Sequence, residues 1–311
     1  MDLIASVSRS SGLEKDGDLL KECTVQEEFR TFIDKKLKTF WDVYEAGSPT
    51  KHQIESAQKQ KKDKQENILI LFRKLREGLF ASGRQDGFAL EVYETSLYLS
   101  VVFNSPLQTT SILPRLVPYI YLASPGPQPY RLTTILILLL HHLVISFPSQ
   151  QAYLEQIKYL VPNLLERPSA AYFWISALAR SLRTSNFVQF EKLSHPDAFE
   201  HLLPSSCPIS SSNDRAAIVF RDLPRNAIHA LVSRLRLKAR EEAWIVVRNA
   251  YRELSSSDET QMWLGKRLFF DNFGFEATVV RFDEWVREKC RDGHLRPKAG
   301  VEGRWMVCKA R

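Results

Sequence analysis

His141 and His142 sit side by side in the most apolar stretch of the chain, Ile135 to Ile145. A histidine pair invites a metal ion. On a helix, however, neighbouring side chains point about 100° apart, so the two rings do not converge on one ion. No carboxylate or cysteine stands three or four positions away to complete a ligand set. The expectation is one histidine in the core and one at the surface. Cys290 and His294 are four apart, but a helix should end between them, with Gly293 as the turn. There is no nucleophile elbow, no phosphate-cradling glycine loop and no zinc-protease pair of histidines. With only 12 glycines in 311 residues, a phosphate loop is further disfavoured. These residues predict a protein without catalytic residues, metal or cofactor, that is, a non-enzyme.

What remains is the chemistry of contact. The net charge is +7, and the stretch from Ser212 onward holds 20 Lys and Arg against 14 Asp and Glu. Arg296, Lys298, Arg304, Lys309 and Arg311 lie close together near the end of the chain. Two readings are open for them. They hold nucleic-acid phosphates without reading sequence, or they form a basic rim that meets an acidic protein surface. The helix expected just before them carries Arg281, Arg287 and Lys289, but also Glu276, Asp283, Glu284 and Glu288. Carboxylates against a phosphate-lined groove are repelled, so base readout through this helix is not expected. A second basic run, Lys51, His52, Lys59, Lys61, Lys62 and Lys64, reads as a solvated helix face or as a phosphate stripe, diluted by Asp63 and Glu66. Trp244, Trp263, Trp285 and Trp305 all fall in the last block. Some must be core, and an exposed one would anchor a partner.

The elements that position these residues are predicted to be helices. Apolar residues make up 44% and charged residues 25% of the chain, and glycine is too sparse for a β protein. The organising stretch runs from Ala171 to Leu193. Phe173, Trp174, Ala177, Leu178, Ser181 and Leu182 recur at helical spacing, Thr184-Ser185-Asn186 breaks the pattern, and Phe187, Phe190 and Leu193 restart it. A hairpin of two helices cannot bury its apolar face alone, so a stack of hairpins follows. Earlier helices are signalled by Phe29 to Tyr44 behind a capping box at Thr24, by Ile68 to Leu75, by Phe88 to Val101, and by the core helix Tyr130 to Phe147. Pro106, Pro114 and Pro118 should chop the region between the last two. Residues 1–22 read as a frayed polar tail.

Four cysteines, Cys23, Cys207, Cys290 and Cys308, form no metal-type pair, and no leader segment is visible, so reduced thiols in an intracellular protein of the cytoplasm or nucleus are expected. The longest apolar run is too short to span a bilayer, so no membrane contact is expected. Toward the C-terminus, Ala216 to Phe220 predicts a short helix and Pro224 starts another. Ala243 to Tyr251 marks a helix, Ser257 caps a second, and a third carries Trp285 and Val286. Short strands are expected at His294 to Pro297 and Arg304 to Lys309, around Gly300 and Gly303. Three helices followed by a hairpin make a winged-helix outline.

The chain at this point resembles the PCI-domain family, in which degenerate helical hairpins lead into a winged helix. The resemblance rests on Ser185-Asn186-Phe187-Val188-Gln189-Phe190 at the hairpin turn, and on Arg240 to Tyr251 as the opening helix of the winged helix. Leu264 to Phe270 and Glu276 to Trp285 match its second and third helices. Within the family the chain is most similar to the group of small proteasome-lid, COP-type signalosome and initiation factor three k subunits and GANP-like mRNA-export proteins. The resemblance implies an all-α fold of stacked antiparallel hairpins with a C-terminal winged helix, divided into a tail (1–22), a helical-repeat domain (23–237) and a winged-helix subdomain (238–311). It implies a non-catalytic scaffold or adaptor whose partners are other PCI-domain subunits. Trp305 and Val307 would lie on the open edge of the winged helix that meets a partner, and Asn186, Phe187 and Phe190 would build the supporting hairpin. The alternative is a nucleic-acid-binding regulator, acting through the basic wing on RNA or DNA.

Overall fold

The structure is a computed structural model. It describes residues 19–45, 54–124, 126–160, 164–204, 215–271, 273 and 280–309; within helices, the side chains of 44–45, 54–55 and 215–221 are not described. Most of these residues are helical, with one small antiparallel sheet. The chain divides into two compact units. One comprises Met1–Thr134 and Ser206–Ala227, the other Ile135–Ser205 and Ile228–Arg311.

In the first unit, helices α1 (Cys23–Glu45), α2 (Ile54–Ala81), α3 (Gly87–Val102) and α4 (Pro106–Pro114) follow one another, each packed on the next. The helical period of α1 puts Phe29, Ile33, Leu37, Phe40 and Trp41 inside, where Phe40 and Trp41 meet Phe103 at ring distances of 5.4 and 6.0 Å. Asp86 caps α3, its carboxylate accepting from the Ala89 N–H at 3.0 Å. After α4 the chain makes a wide helical turn, Arg115–Ile120, and a single turn, α5 (Tyr121–Ala123). Val117 is extended there (φ −118°, ψ 116°), as a residue before proline prefers.

The tail expected over 1–22 does not reach its end free. Leu20 is fully buried. The buried Gln26 side chain donates to the Leu20 carbonyl at 2.9 Å and to Ser82 Oγ at 3.0 Å. Gly78 makes the approach possible, because a Cβ there would stand 2.5 Å from the Leu20 oxygen.

Helix α6 (Arg131–Ile145) is buried on every side from Ile135 to His141, the pattern of a core helix. In the second unit, α7 (Gln151–Leu160) precedes the expected hairpin of α8 (Ala170–Arg183) and α9 (Phe187–Leu193). Ser169 caps α8 and Asn186 caps α9 through its side-chain oxygen, which accepts from the Gln189 N–H at 3.1 Å. Trp174 Nε1 donates to the Leu193 carbonyl at 2.9 Å and locks the two helices together. The inward face of α8 is Ala171, Trp174, Ile175, Leu178 and Ala179, whereas Phe173, expected inside, is 59% exposed. Trp174, Leu178 and Ser181 of the expected face are inside, and the stripe is shifted from Phe173 toward Ile175 and Ala179.

Where the sequence suggests separate helices broken at Pro224, one helix runs from Arg215 to Ala250 (α10). Proline inside a helix costs about 3 kcal/mol. It is outweighed by an uninterrupted buried stripe of Ala227, Ile228, Leu231, Val232, Leu235, Ala239, Ala243, Trp244 and Val247. Position 238 lies within this helix. Then come β1 (Glu253–Ser255), α11 (Asp258–Arg267), α12 (Phe282–Arg291), β2 (Leu295–Pro297) and β3 (Arg304–Val307), with sheet order β1-β3-β2. Ser257 caps α11 as expected. The turn residues Asn272 and Gly274 lie outside the described residues, as do Gly47, Ser48 and Pro49.

Candidate functional site

The second unit brings the sequence-selected hairpin and the C-terminal elements into one packed body. Phe190, fully buried, meets Phe269 edge-on at 5.2 Å, and the half-buried Phe187 meets the same ring at 6.4 Å. Two arginines of α10 brace this junction. Arg236 donates to Ser194 Oγ at 2.7 Å and to the Asp271 carbonyl at 3.0 Å. Arg240 donates to the Leu268 and Phe269 carbonyls at 2.6 and 2.5 Å. Burial lowers the pKa of both, Arg236 to about 10. Behind them Trp244 and Trp285 cross at 4.8 Å as core, and Trp244 Nε1 donates to His294 Nδ1 at 3.2 Å.

The strand carrying Trp305 and Val307 is not the open edge that the sequence suggested. β3 is the central strand, paired to β1 through Leu254↔Trp305 and to β2 through Leu295↔Val307. Trp305 and Val307 are half-buried, and Trp305 packs edge-on to Phe282 of α12 at 6.1 Å. The two-residue period puts Arg304 and Met306 on the opposite, exposed face, beside Glu253 and Arg296. The outer strands are β1, which the sequence reading missed, and β2.

Beside β1 lies a groove of about 500 Å³. Tyr251 and Trp263, 5.0 Å apart and both partly exposed, form its aromatic wall, and Glu253, Glu259 and Arg304 supply its charge. Here the outer strand β1 runs beside the exposed Tyr251 and the half-buried Trp263.

The basic cluster is only partly available. Lys298 Nζ lies 2.7 Å from Glu253 Oε2, and Arg304 Nη1 lies 3.2 Å from Glu253 Oε1. The Lys298 and Arg304 partners lower the Glu253 pKa, the hydrogen bond from Lys298 foremost. Arg296 and Lys309 are exposed; Arg311 lies outside the described residues. On α12, Lys289 is buried and lies 3.3 Å from Glu241, 3.1 Å from Glu288 and 3.6 Å from Asp292. It braces α12 on α10 instead of reaching outward. The exposed face of that helix mixes Asp283, Glu284, Arg287 and Glu288. Glu276 lies outside the described residues.

His141 is buried and its pKa is pulled down to about 4, chiefly by burial. His142 is half-buried, and burial lowers its pKa too. Among the described residues no group of three or more His, Cys, Asp or Glu is arranged to hold a metal ion. No described helix is long and apolar enough to cross a membrane. Compared with models of protein families and with curated proteins, the chain matches none.

Proposed function

We propose that the chain is a non-catalytic scaffold or adaptor subunit of a multiprotein complex, built as a PCI-like helical stack ending in a winged helix. The observation that carries this reading is the junction at Phe269. There the hairpin α8–α9 and the C-terminal elements share one core, so the final lobe is held rigidly to the hairpin rather than tethered to it. The order of helix, strand, two helices and hairpin, with sheet order β1-β3-β2, supports a winged helix. The partner surface is then the outer strand β1 with Tyr251 and Trp263, since β3 has no open side. An extended segment adding to a short outer strand gains main-chain hydrogen bonds, and exposed aromatics supply the anchoring contact.

The nucleic-acid reading is weakened by Glu253, which holds two of the five basic residues proposed for phosphate contact. Purification of the tagged chain from its own cells, followed by mass spectrometry, tests the scaffold reading. Stoichiometric recovery of other winged-helix subunits is expected, and disruption by Trp263→Ala or Tyr251→Ala should follow. Recovery as a lone monomer overturns it.

A further inference from the structure

Cys290 lies in the last turn of α12, and Cys308 directly follows β3. The fold brings both to one reversal of the chain. The Gly293 N–H donates to the Cys290 carbonyl at 3.1 Å, and the His294 N–H donates to the Lys289 carbonyl at 2.9 Å. Gly293 takes the φ of +72° that such a helix end favours. β2 then pairs with β3, Leu295 opposite Val307. One step further along this ladder Cys308 faces His294, and its N–H donates to the His294 carbonyl at 2.9 Å. His294 is thus bonded on one side to Cys308 and on the other to the peptide group that joins Lys289 to Cys290. Arg248 Nε holds the Cys308 carbonyl at 2.9 Å. Both cysteines are free and half-buried. Burial raises the Cys290 pKa and the Cys308 thiol raises it further, as two groups that both ionise to anions do at short range. A metal does not account for the cluster. His294 Nδ1 accepts from Trp244 at 3.2 Å, and among the described residues no group of three or more ligands is arranged for an ion.

We infer that Cys290 and Cys308 are a reversible redox pair, closing to a disulfide that ties the end of β3 to the end of α12. The oxidant is a small disulfide of the glutathione type. One protein thiolate attacks its S–S bond, forms a mixed disulfide and expels one glutathione thiolate. The second protein thiolate attacks the protein sulfur of that mixed disulfide and expels the other. Two protein thiols are oxidised to one disulfide, and one glutathione disulfide is reduced to two thiols that take up the two protons. Closure constrains the unfolded chain, whereas in the fold Gly293, His294 and Arg248 already hold both backbones. The fold therefore favours the bond. Cys23 is exposed in the first unit, and Cys207 lies outside the described residues. The inference stands without the scaffold reading, since it needs only the reversal at Gly293 and the pairing of β2 with β3.

The test equilibrates the full chain in buffers of graded ratio of reduced to oxidised glutathione, followed by acid quenching and alkylation of free thiols. A glutamate-specific protease cuts after Glu288 and Glu302, which puts Cys290 and Cys308 in separate peptides. Mass spectrometry without reduction should find one crosslink, joining 289–302 to 303–311. Its equilibrium constant should be at least about tenfold larger for the folded chain than in denaturing urea. The urea arm separates the contribution of the fold from nearness in sequence. By linkage the oxidised chain should unfold at higher urea than the reduced one, and Cys290→Ser or Cys308→Ser should abolish that difference while Cys23→Ser keeps it. Circular dichroism checks that the variants fold, and the glutathione equilibrium of the unaltered chain decides without them. A crosslink to Cys23 or Cys207, a crosslink between two chains, or glutathione left on one cysteine as the stable product overturns the inference. So does a constant no larger in the folded chain than in urea.

Discussion

Arg240 reaches from α10 to the end of α11 and donates to the carbonyl of Phe269, a residue held at φ +54°. The left-handed region is costly for a bulky side chain. The same guanidinium also takes the Leu268 carbonyl, so two main-chain oxygens left over at the end of α11 are satisfied by one buried side chain. Phe269 can then turn its ring toward Phe190 and Phe187 of the hairpin. The hairpin and the C-terminal elements thus meet at a backbone conformation that Arg240 stabilises.

Replacement of Arg240 by Ala should therefore cost more than lost packing. It removes two charge-assisted hydrogen bonds and leaves two buried carbonyls without donors, a loss of about 2–4 kcal/mol. Arg240→Lys keeps the charge but offers no fork to bridge both oxygens, and should recover only part. Urea unfolding followed by tryptophan fluorescence measures both, because Trp244 and Trp285 are in the affected core. A loss below about 1 kcal/mol for Arg240→Ala would show that the bridge contributes little.

Gly78 poses a contest between two effects of opposite sign. Glycine inside a helix is worse than alanine by about 0.8–1.0 kcal/mol, so Gly78→Ala on an exposed face would stabilise. Here the new methyl would lie 2.5 Å from the Leu20 carbonyl oxygen and 2.9 Å from its Cβ. Such overpacking against backbone typically costs about 1–3 kcal/mol, and the clash should win. The segment carrying Leu20 is expected to lift off. Hydrogen exchange of residues 19–26 should speed up, and limited proteolysis should cut there first. A variant more stable than the original, with unchanged protection, would contradict this.

Glu94 makes stability depend on pH. Its carboxyl is buried and hydrogen-bonded to the Tyr121 hydroxyl. Burial raises its pKa from 4.5 to about 7, with Glu91 adding to the rise and the Tyr121 bond opposing it. Because the folded value exceeds the unfolded one, the folded state binds more protons between the two. This contribution is full below pH 4.5 and falls until about pH 7. Its size is about 3 kcal/mol. His141 acts in the opposite direction. Its value is lowered to about 4 from 6.5, so its contribution is present above 6.5 and lost as pH falls. Glu94→Gln isolates the first effect. Its stability relative to the unaltered chain should rise as pH increases from about 4.5 to 7 and stay level above. A flat difference across that range would refute the burial argument.

The sequence makes some of these features legible and hides others for physical reasons. The turn Thr184-Ser185-Asn186 was readable because N-caps are local, and Asn186 does cap α9. The strands of the final hairpin were readable from Gly300 and Gly303, both at positive φ. β1 was not, because Glu-Leu-Ser has one apolar residue and no alternation to detect, and it exists only through pairing with β3. That omission put the open edge at Trp305 and Val307 instead of beside Tyr251. The continuity of α10 was hidden by Pro224, whose local preference is overridden by burial further along the helix.

Glu253 offers the last test, because it pairs with two of the basic residues that the nucleic-acid reading assigns to phosphates. Its carboxylate takes Lys298 on one oxygen and Arg304 on the other. Replacing it with Gln removes one negative charge and releases two cations on the exposed face of the sheet, next to Arg296. Each cation that newly meets a phosphate steepens the salt dependence of single-strand binding by about 0.7 in log K against log salt. Glu253→Gln should therefore bind oligouridylate more tightly at low salt, with a slope steeper by up to about 1.4. Adding Arg296→Glu should reverse much of the gain. Fluorescence anisotropy over a salt series measures both quantities. If the unaltered chain already shows the full slope, Glu253 yields its cations to RNA on contact, and the nucleic-acid reading of the wing gains over the scaffold reading.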